Sequence, residues 1–444
     1  DELLGAYASS GAIHVLAVSG LHIGILYAVI TFVFGPLRRY SRGKWVLAGV
    51  SLLCLWSYAF ITGMSPSVLR AVTMFTFVSL AEVSNRRSNI YNTLALSAFC
   101  LLLYDPYFIM SVGFQLSYLA VLGIVYLYPR LIFLWTPPSW LIPAWKITCV
   151  SVSAQLATFP LGLLYFHQFP VYFLVSNLFV IPLSFLVLVL GLIVLALNVF
   201  APVVKPLGVL LTYVIKAMNA GVLFTEQLPG SLIKGIHITT LQYWFLFGLV
   251  VTVLLIFRLR KYKILYASLA LAICFSIIQW KHFLKKKKAL IVYNVRGHFA
   301  MDIFDNGRAY HFADSVLLED PQRLSFQVNG NRVANAIYSI QSGDQLPFVR
   351  NLPGCRLVRW ENLSMIQITD KQFTFTRKIP VDYVVISRNA VNSLDQIREK
   401  VDCREVIVDS SNSWWVAANL IHEAEEKHQG LYSVLHQGAL VKEL

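Results

Sequence analysis

The stretch HVLAVSGLHIG, His14 to Gly24, places two histidines, a serine and two glycines in an apolar run where a membrane helix ordinarily carries Leu and Val. Hydrogen-bonding groups at such depth must face a bundle interior or a watery cavity. Three uses fit them: a polar wall for a hydrophilic substrate, a metal site, or hydrogen bonds that lock helices together. Two histidines with no nearby Cys, Asp or Glu are a poor ligand set, which disfavours the metal. His14 and His22 are eight residues apart, about two turns, so in one continuous helix they share roughly one side. Ser19 lies between them. Gly11, Gly20 and Gly24 allow either close helix approach or a break.

Other polar residues repeat the theme. Arg70 in SPSVLRAVTMF stands about one turn inside a span, where it is either functional or snorkels to the interface. Gln115 and Ser117 sit mid-span in SVGFQLSYL, Gln155 in SVSAQLATFP, and Asn177 in VSNLFVIPL. Each alone is ordinary helix glue. Five spans bearing such residues together favour a polar pathway.

The elements that must position these groups are membrane helices. The 444-residue chain is 57% hydrophobic and only 14% charged, with a mean hydropathy of +0.62. A soluble domain carries about a quarter charged residues. About ten apolar spans are expected, near 12–34, 45–62, 66–82, 90–104, 107–128, 146–166, 171–198, 206–224, 239–257 and 263–280. The segment 131–145, with three prolines and three tryptophans, suits an interface. The chain opens on Asp1 rather than Met, with no signal peptide before the first span, and reads as continuing a longer upstream part.

Basic loops set orientation. RRYSRGK (38–44) and NRRSN (85–89) are expected in the cytoplasm. Parity puts 63–67 and 104–107 outside, and Arg130, Lys205 and RLRKYK (258–263) inside. Residues 289–444 then fall outside the cytoplasm, against the preference of the Lys-rich KHFLKKKK (281–288). Composition breaks at that basic run. Residues 1–288 hold 21 Lys and Arg against 5 Asp and Glu, whereas residues 289–444 hold 16 against 18. The expected organisation is a membrane domain over 1–280, a basic linker over 281–288 and a soluble domain over 289–444.

The soluble part reads as α/β. ALIVYNV (289–295) and AMDIF (300–304) alternate like strands, and Asn306-Gly307 offers a tight hairpin turn. VDYVVIS (381–387), a polar helical stretch 391–400 and REVIVDS (404–410) suggest parallel strands joined by a helix. Residues 414–428 read as another helix. Cys355 and Cys403 either pair, if this part is extracytoplasmic, or are two unrelated buried thiols. No GxxxxGK[ST] loop occurs, so ATP hydrolysis is not expected of the chain itself.

Five motifs together resemble a known family. HVLAVSGLHIGIL, SPSVLRAVTM, DPYFIMSVGFQLSYLAVLGI, SAQLATFPLGLLYFHQFP and SNLFVIPL follow the order and spacing of the competence domain of the ComEC family, over about residues 1–280. These are DNA-uptake channels of natural transformation in the bacterial inner membrane. The resemblance implies passage of one DNA strand through the lipid bilayer into the cytoplasm, with no cofactor. His14, Ser19, His22, Gln115, Ser117, Gln155 and Asn177 would then line or shape the route, and Arg70 would supply positive charge near its outer mouth. It also implies partners: a DNA receptor outside, and a cytoplasmic helicase or single-strand-binding protein that supplies the drive, unless an ion gradient does. One chain or a homodimer would form the route. Competing readings are a membrane-anchored metal-dependent nuclease and a transporter of another polar solute.

The tail resembles a metallo-β-lactamase-type hydrolase domain, in which an HxHxDH metal motif follows a strand. Here Arg388, Asn389, Ala390, Val391, Asn392 and Ser393 follow VDYVVIS, and none is a good ligand for Zn²⁺ or Mn²⁺. His298, His311, Asp314, Asp409, His422 and His428 remain, away from that spacing. A nuclease-like fold without nuclease activity is the expectation.

Overall fold

The computed structural model describes residues 2–259, 261–284, 287–343, 346–373 and 378–444. The chain divides into two units, Asp1–Ala272 and Ile273–Leu444. Helices in chain order are α1 (Glu2–Ser9), α2 (Ile13–Leu16), α3 (Gly20–Val33), α4 (Ser41–Ile61), α5 (Pro66–Val83), α6 (Ile90–Tyr104), α7 (Val112–Leu131), α8 (Ile142–Phe166), α9 (Phe173–Ala196), α10 (Ala201–Gln227), α11 (Thr240–Leu259) and α12 (Ile264–Leu284). Among the described residues, seven helices are long and apolar enough to cross a membrane: α4, α5, α7, α8, α9, α10 and α12. α3, α6 and the Thr240–Ile256 stretch of α11 are shorter apolar helices. Each expected span thus contains an apolar helix, and the chain is a multi-pass membrane protein. The expected interfacial segment holds short 3₁₀ turns at Ile132–Leu134 and Ser139–Leu141 and then the start of α8.

Local chemistry sets the helix ends. Pro66 opens α5, where its missing N–H costs nothing, and Asn89 caps α6 by accepting the N–H of Tyr91. Small residues bring helices close. At Gly123 of α7 a Cβ would stand 2.8 Å from the carbonyl oxygen of Ser153 in α8. The outward faces carry bare apolar side chains such as Phe32, 86% exposed, and Phe60, 73% exposed, which suits lipid rather than water. Short strands β1 (Gln168–Pro170) and β2 (Leu232–Lys234) pair antiparallel beside the helices.

In the second unit the strands are β3 (Lys288–Val292), β4 (Ala300–Asp305), β5 (Arg308–Ala313), β6 (Ser339–Ser342), β7 (Val349–Leu352), β8 (Cys355–Trp360), β9 (Leu363–Ile368), β10 (Ile379–Ile386), β11 (Val401–Val408), β12 (Leu431–Ser433) and β13 (Leu440–Glu443). They form two sheets among the described residues, ordered β12-β11-β10-β9-β8-β7 and β13-β3-β4-β5-β6. β9 to β12 run parallel, and β10 reaches β11 through the helix Asp395–Arg398, the expected crossover in a shorter form. β4 and β5 meet at the Asn306-Gly307 turn, both residues at positive φ.

Strand alternation builds three cores. Met301 and Ile303 of β4 meet Met365, Val385 and Ile407 between the two sheets. Val384 and Ile386 face Ala417 and Leu420 of the helix Trp414–Glu426. Ala300 and Phe304 face Leu317 and Val328 of the short helical segments 315–334. The layers run helix, sheet, sheet, helix.

Candidate functional site

The opening polar stretch is not one helix. α2 ends at Leu16, Ala17 is extended, and α3 begins at Gly20. Ser19 explains the break. Its hydroxyl accepts the N–H of Leu21 at 3.3 Å, while His22 Nδ1 accepts the N–H of Ser19 at 3.3 Å and lies 3.1 Å from its hydroxyl. This reciprocal cap satisfies donors that a fresh helix start leaves open. Because Nδ1 accepts, the neutral His22 ring carries its proton on Nε2. The break separates His14 from His22, so the two rings do not share one helix side. His14 is exposed, with Nδ1 3.2 Å from Gly11 O.

α5 closes the break from its flank. Ser67 donates to Val18 O at 3.1 Å. Arg70, only 7% exposed, donates through Nε to Ser117 Oγ of α7 at 2.7 Å and through Nη1 to Met74 Sδ at 3.4 Å. Its guanidinium lies 6.0 Å from the Tyr118 ring centre, and the Tyr118 hydroxyl pairs with Ser97 of α6 at 3.0 Å. The Nη2 edge abuts Gly20 at the start of α3. Arg70 therefore points into the bundle rather than snorkelling away.

A second polar group lies along α8 and α9. Asn177 Nδ2 donates to Ser151 Oγ at 3.3 Å, and Asn177 Oδ1 is buried without a hydrogen-bond partner among the described residues. Ser176 donates to Ser10 O at 2.5 Å, tying α9 to the segment before α2. Gln155 is half-buried one turn beyond Ser151, on the same side of α8. Gln115 stands apart from Ser117. Its Nε2 donates to Ile109 O at 2.7 Å and pins the turn before α7. α3 packs against both α5 and α9, so the broken segment borders both polar groups.

The structure thus pairs Ser19 with His22, Arg70 with Ser117, and Asn177 with Ser151. Sequence reasoning missed Ser97, Ser10 and Ser176, whose partners are distant in the chain. It also missed Tyr7, whose hydroxyl donates to Asn219 Oδ1 of α10 at 2.8 Å. For Gly20 the sequence offers close helix approach or a break, without the partner that approaches. The nearness of Gly20 to Arg70 leaves no pattern in the sequence.

In the second unit, the positions after β10 are built for rigidity. Arg388 and Asn389 both take left-handed backbone, φ 55° and 53°. Their N–H groups donate to Ser411 Oγ at 2.7 Å and Asn412 Oδ1 at 2.8 Å. Arg388 Nη2 donates to Asp314 Oδ1 at 2.6 Å. Asp409 is fully buried, accepting from the hydroxyls of Ser387 and Ser411 and from Asn412 Nδ2. Burial outweighs those bonds and pushes its carboxyl up to about 7.

The remaining candidate ligands are scattered. His298 accepts from Arg323, and His422 pairs with Glu426 on one helix. His428 sits in an exposed turn. His311 and Arg332 both donate to the buried Asp302. Burial opposes that carboxylate's charge, but the bonds from Arg332 and His311 win and hold its pKa below the usual range. No three of His, Cys, Asp and Glu come close enough to hold a metal among the described residues. This donor set does not fit a divalent metal. Cys355 and Cys403 are free thiols.

Comparison with known proteins agrees with both units. A family model described as Competence protein matches residues 1–263, and one described as ComEC C-terminal domain matches residues 290–444. ComE operon protein 3 of Bacillus subtilis is 34% identical over 182 residues, which cover 41% of this chain and 22% of that protein. The uncharacterized protein YcaI of Escherichia coli is 25% identical over 218 residues, 47% of this chain and 28% of its own. Recombination protein 2 of Haemophilus influenzae is 29% identical over 117 residues, 25% of this chain and 15% of its own. The matched stretches span less than a third of each of these relatives. No solved structure matches the chain.

Proposed function

The chain belongs to the ComEC competence family, and on that premise we propose that it forms the membrane route by which one strand of DNA enters the cytoplasm. The observation that carries this reading is the placement of two polar groups, Arg70 with Ser117 and Asn177 with Ser151, beside a broken helix in a largely apolar bundle. A single strand carries one negative charge per nucleotide and hydrogen-bonding base edges, which hydrocarbon cannot accommodate. Breaks in membrane helices are tolerated where they line a cavity or are buried in protein.

In this reading His14, Ser19, His22, Gln115, Ser117, Gln155 and Asn177 line or shape the route, and Arg70 supplies charge near its outer mouth. All ten apolar helices cross the inner membrane of a bacterium, as one chain or as a homodimer. Residues 1–280 form the membrane domain and 281–288 a basic linker, of which Lys285 and Lys286 lie outside the described residues. Residues 289–444 form an extracytoplasmic binding or scaffold domain. Its helix–sheet–sheet–helix layering supports a metallo-β-lactamase-like fold, and its ligand-poor strand ends support a domain that does not hydrolyse DNA. Because the sequence has no phosphate loop, the drive comes from a partner such as a cytoplasmic helicase or single-strand-binding protein, or from an ion gradient, while a receptor delivers duplex DNA from outside.

The test is transformation with labelled duplex DNA in cells carrying the gene. His14→Ala, His22→Ala and Arg70→Ala variants are compared at matched membrane levels. Loss of internalised strand is the expected result. Normal uptake in all three removes them from the route, and normal uptake after deletion of the gene removes the DNA reading.

A further inference from the structure

We propose that Arg70 and the N-terminus of α3 form a seat for a single phosphodiester group of the passing strand. This deepens the DNA-route reading and rests on it.

The argument starts from an incomplete inventory. A guanidinium has five N–H donors and a permanent positive charge. Arg70 uses Nε on Ser117 Oγ and Nη1 on Met74 Sδ, and a thioether is a weak acceptor. Beyond the Tyr118 ring it meets no other polar partner, and no carboxylate, among the described residues. Yet the side chain is only 7% exposed. A buried charge without a counter-charge is costly, and in a membrane span it marks a site.

The free Nη2 edge is aimed at the start of α3. A Cβ at residue 20 would stand 2.6 Å from Nη2, so only glycine leaves the guanidinium there. α3 runs 14 residues, Gly20–Val33, and its first turn presents the positive end of its dipole to the same place. Ser19 occupies the N–H groups of Leu21, His22 and Ile23, while that of Gly20 has no partner among the described residues. Guanidinium N–H groups beside the one N–H that this capped helix start leaves free, that of Gly20, are donors that phosphate oxygens take. Lipid phosphate has the same chemistry. However, an Arg serving lipid would extend to the interface, and this one is enclosed between α3 and α7.

The experiment uses the full chain in nanodiscs of zwitterionic lipid, with and without phosphatidylglycerol. A short labelled oligothymidine with phosphodiester linkages is compared with one carrying uncharged methylphosphonates. The wild-type chain is expected to prefer the phosphodiester. Arg70→Gln and Gly20→Ala are expected to weaken phosphodiester binding about tenfold and to shrink that preference, with Arg70→Lys between them, because losing hydrogen bonds to a charged group costs at least that much. Gly20→Ala keeps the arginine, and the wild-type preference needs no variant, so the test survives a variant that does not fold. Wild-type binding that ignores all the substitutions overturns the seat and leaves the DNA reading standing. Phosphatidylglycerol that is retained by wild type and lost from Arg70→Gln, with oligonucleotide binding unmoved, assigns the group to lipid and overturns the proposal. No oligonucleotide binding by wild type overturns both readings.

Discussion

Gly20 and Arg70 are in direct contact: the position of a Cβ on residue 20 lies 2.6 Å from Arg70 Nη2. The obstructing atom is the tip of a flexible side chain, not backbone. Gly20→Ala is therefore absorbed by moving the guanidinium, which draws Nε away from Ser117 Oγ. The Gly20→Ala protein is expected to reach normal membrane levels and to take up labelled DNA as poorly as Arg70→Gln. The double variant should be no worse than either, because both act through one group. Additive losses in uptake assays would separate the two residues.

Ser19 is expected to matter through the cap. Ser19→Ala removes the acceptor for Leu21 N–H and should lower stability by about 1 kcal/mol, while Ser19→Asp, another good cap, should retain most of it. Thermal melting of the purified chain followed by tryptophan fluorescence reads both. A Ser19→Ala protein that melts with wild type would mean the break is held by Ser67 and Arg70 alone.

These two relationships differ in how far the sequence foretells them. Hydropathy located every apolar helix, because lipid demands long Leu- and Val-rich runs whatever their neighbours. Asn306-Gly307 and the β10–helix–β11 crossover were legible because turn chemistry and strand periodicity are local. A break was one of two uses the sequence offered for Gly20, and its cap at Ser19 was not legible, since the familiar cap pattern ends in Glu or Gln and here the third residue is His22. Gln115 and Ser117 sit mid-span in one motif, yet they serve different neighbours. Two residues span about 200° of helix, so one faces the Ile109 turn and the other Arg70. Pairs such as Ser10 with Ser176 depend on which helices meet, and nothing local encodes that.

Gly123 offers a contrast with Gly20. A Cβ there meets the backbone oxygen of Ser153, which cannot swing aside. Gly123→Val should push α7 from α8 and cost about 1–3 kcal/mol in melting. Unchanged melting would show that the two helices slide apart freely.

In the second unit, Arg332 donates to both oxygens of Asp302, at 2.7 and 2.9 Å, with His311 at 2.7 Å on the same carboxylate. Arg332→Met strips the main counter-charge from a buried anion and should cost about 3–5 kcal/mol. Arg332→Met combined with Asp302→Asn should recover part of the loss, since no bare charge is left. Hydrogen exchange at β4 and β5 provides the measurement. A double variant no better than the single would mean that packing around 329–332, not charge, sets the cost.

Asp409 carries the opposite pH signature to Asp302. Burial raises its carboxyl to about 7, whereas an unfolded aspartate ionises near about 4. Between those values the folded chain holds a proton that the unfolded chain has released. Stability from this group is therefore full below about pH 4 and is lost as pH rises through about 7. Asp302, held below the usual range, loses its contribution instead as pH falls through its lowered pKa. Hydrogen exchange at the ends of β10 and β11, bridged by the Ser387 and Asn412 bonds to Asp409, should quicken from about pH 5 to about pH 8 beyond the intrinsic chemical rate. Asp409→Asn cannot titrate and should flatten that excess. An unchanged slope in the Asn variant would show that Asp409 is not the group that titrates at the strand ends.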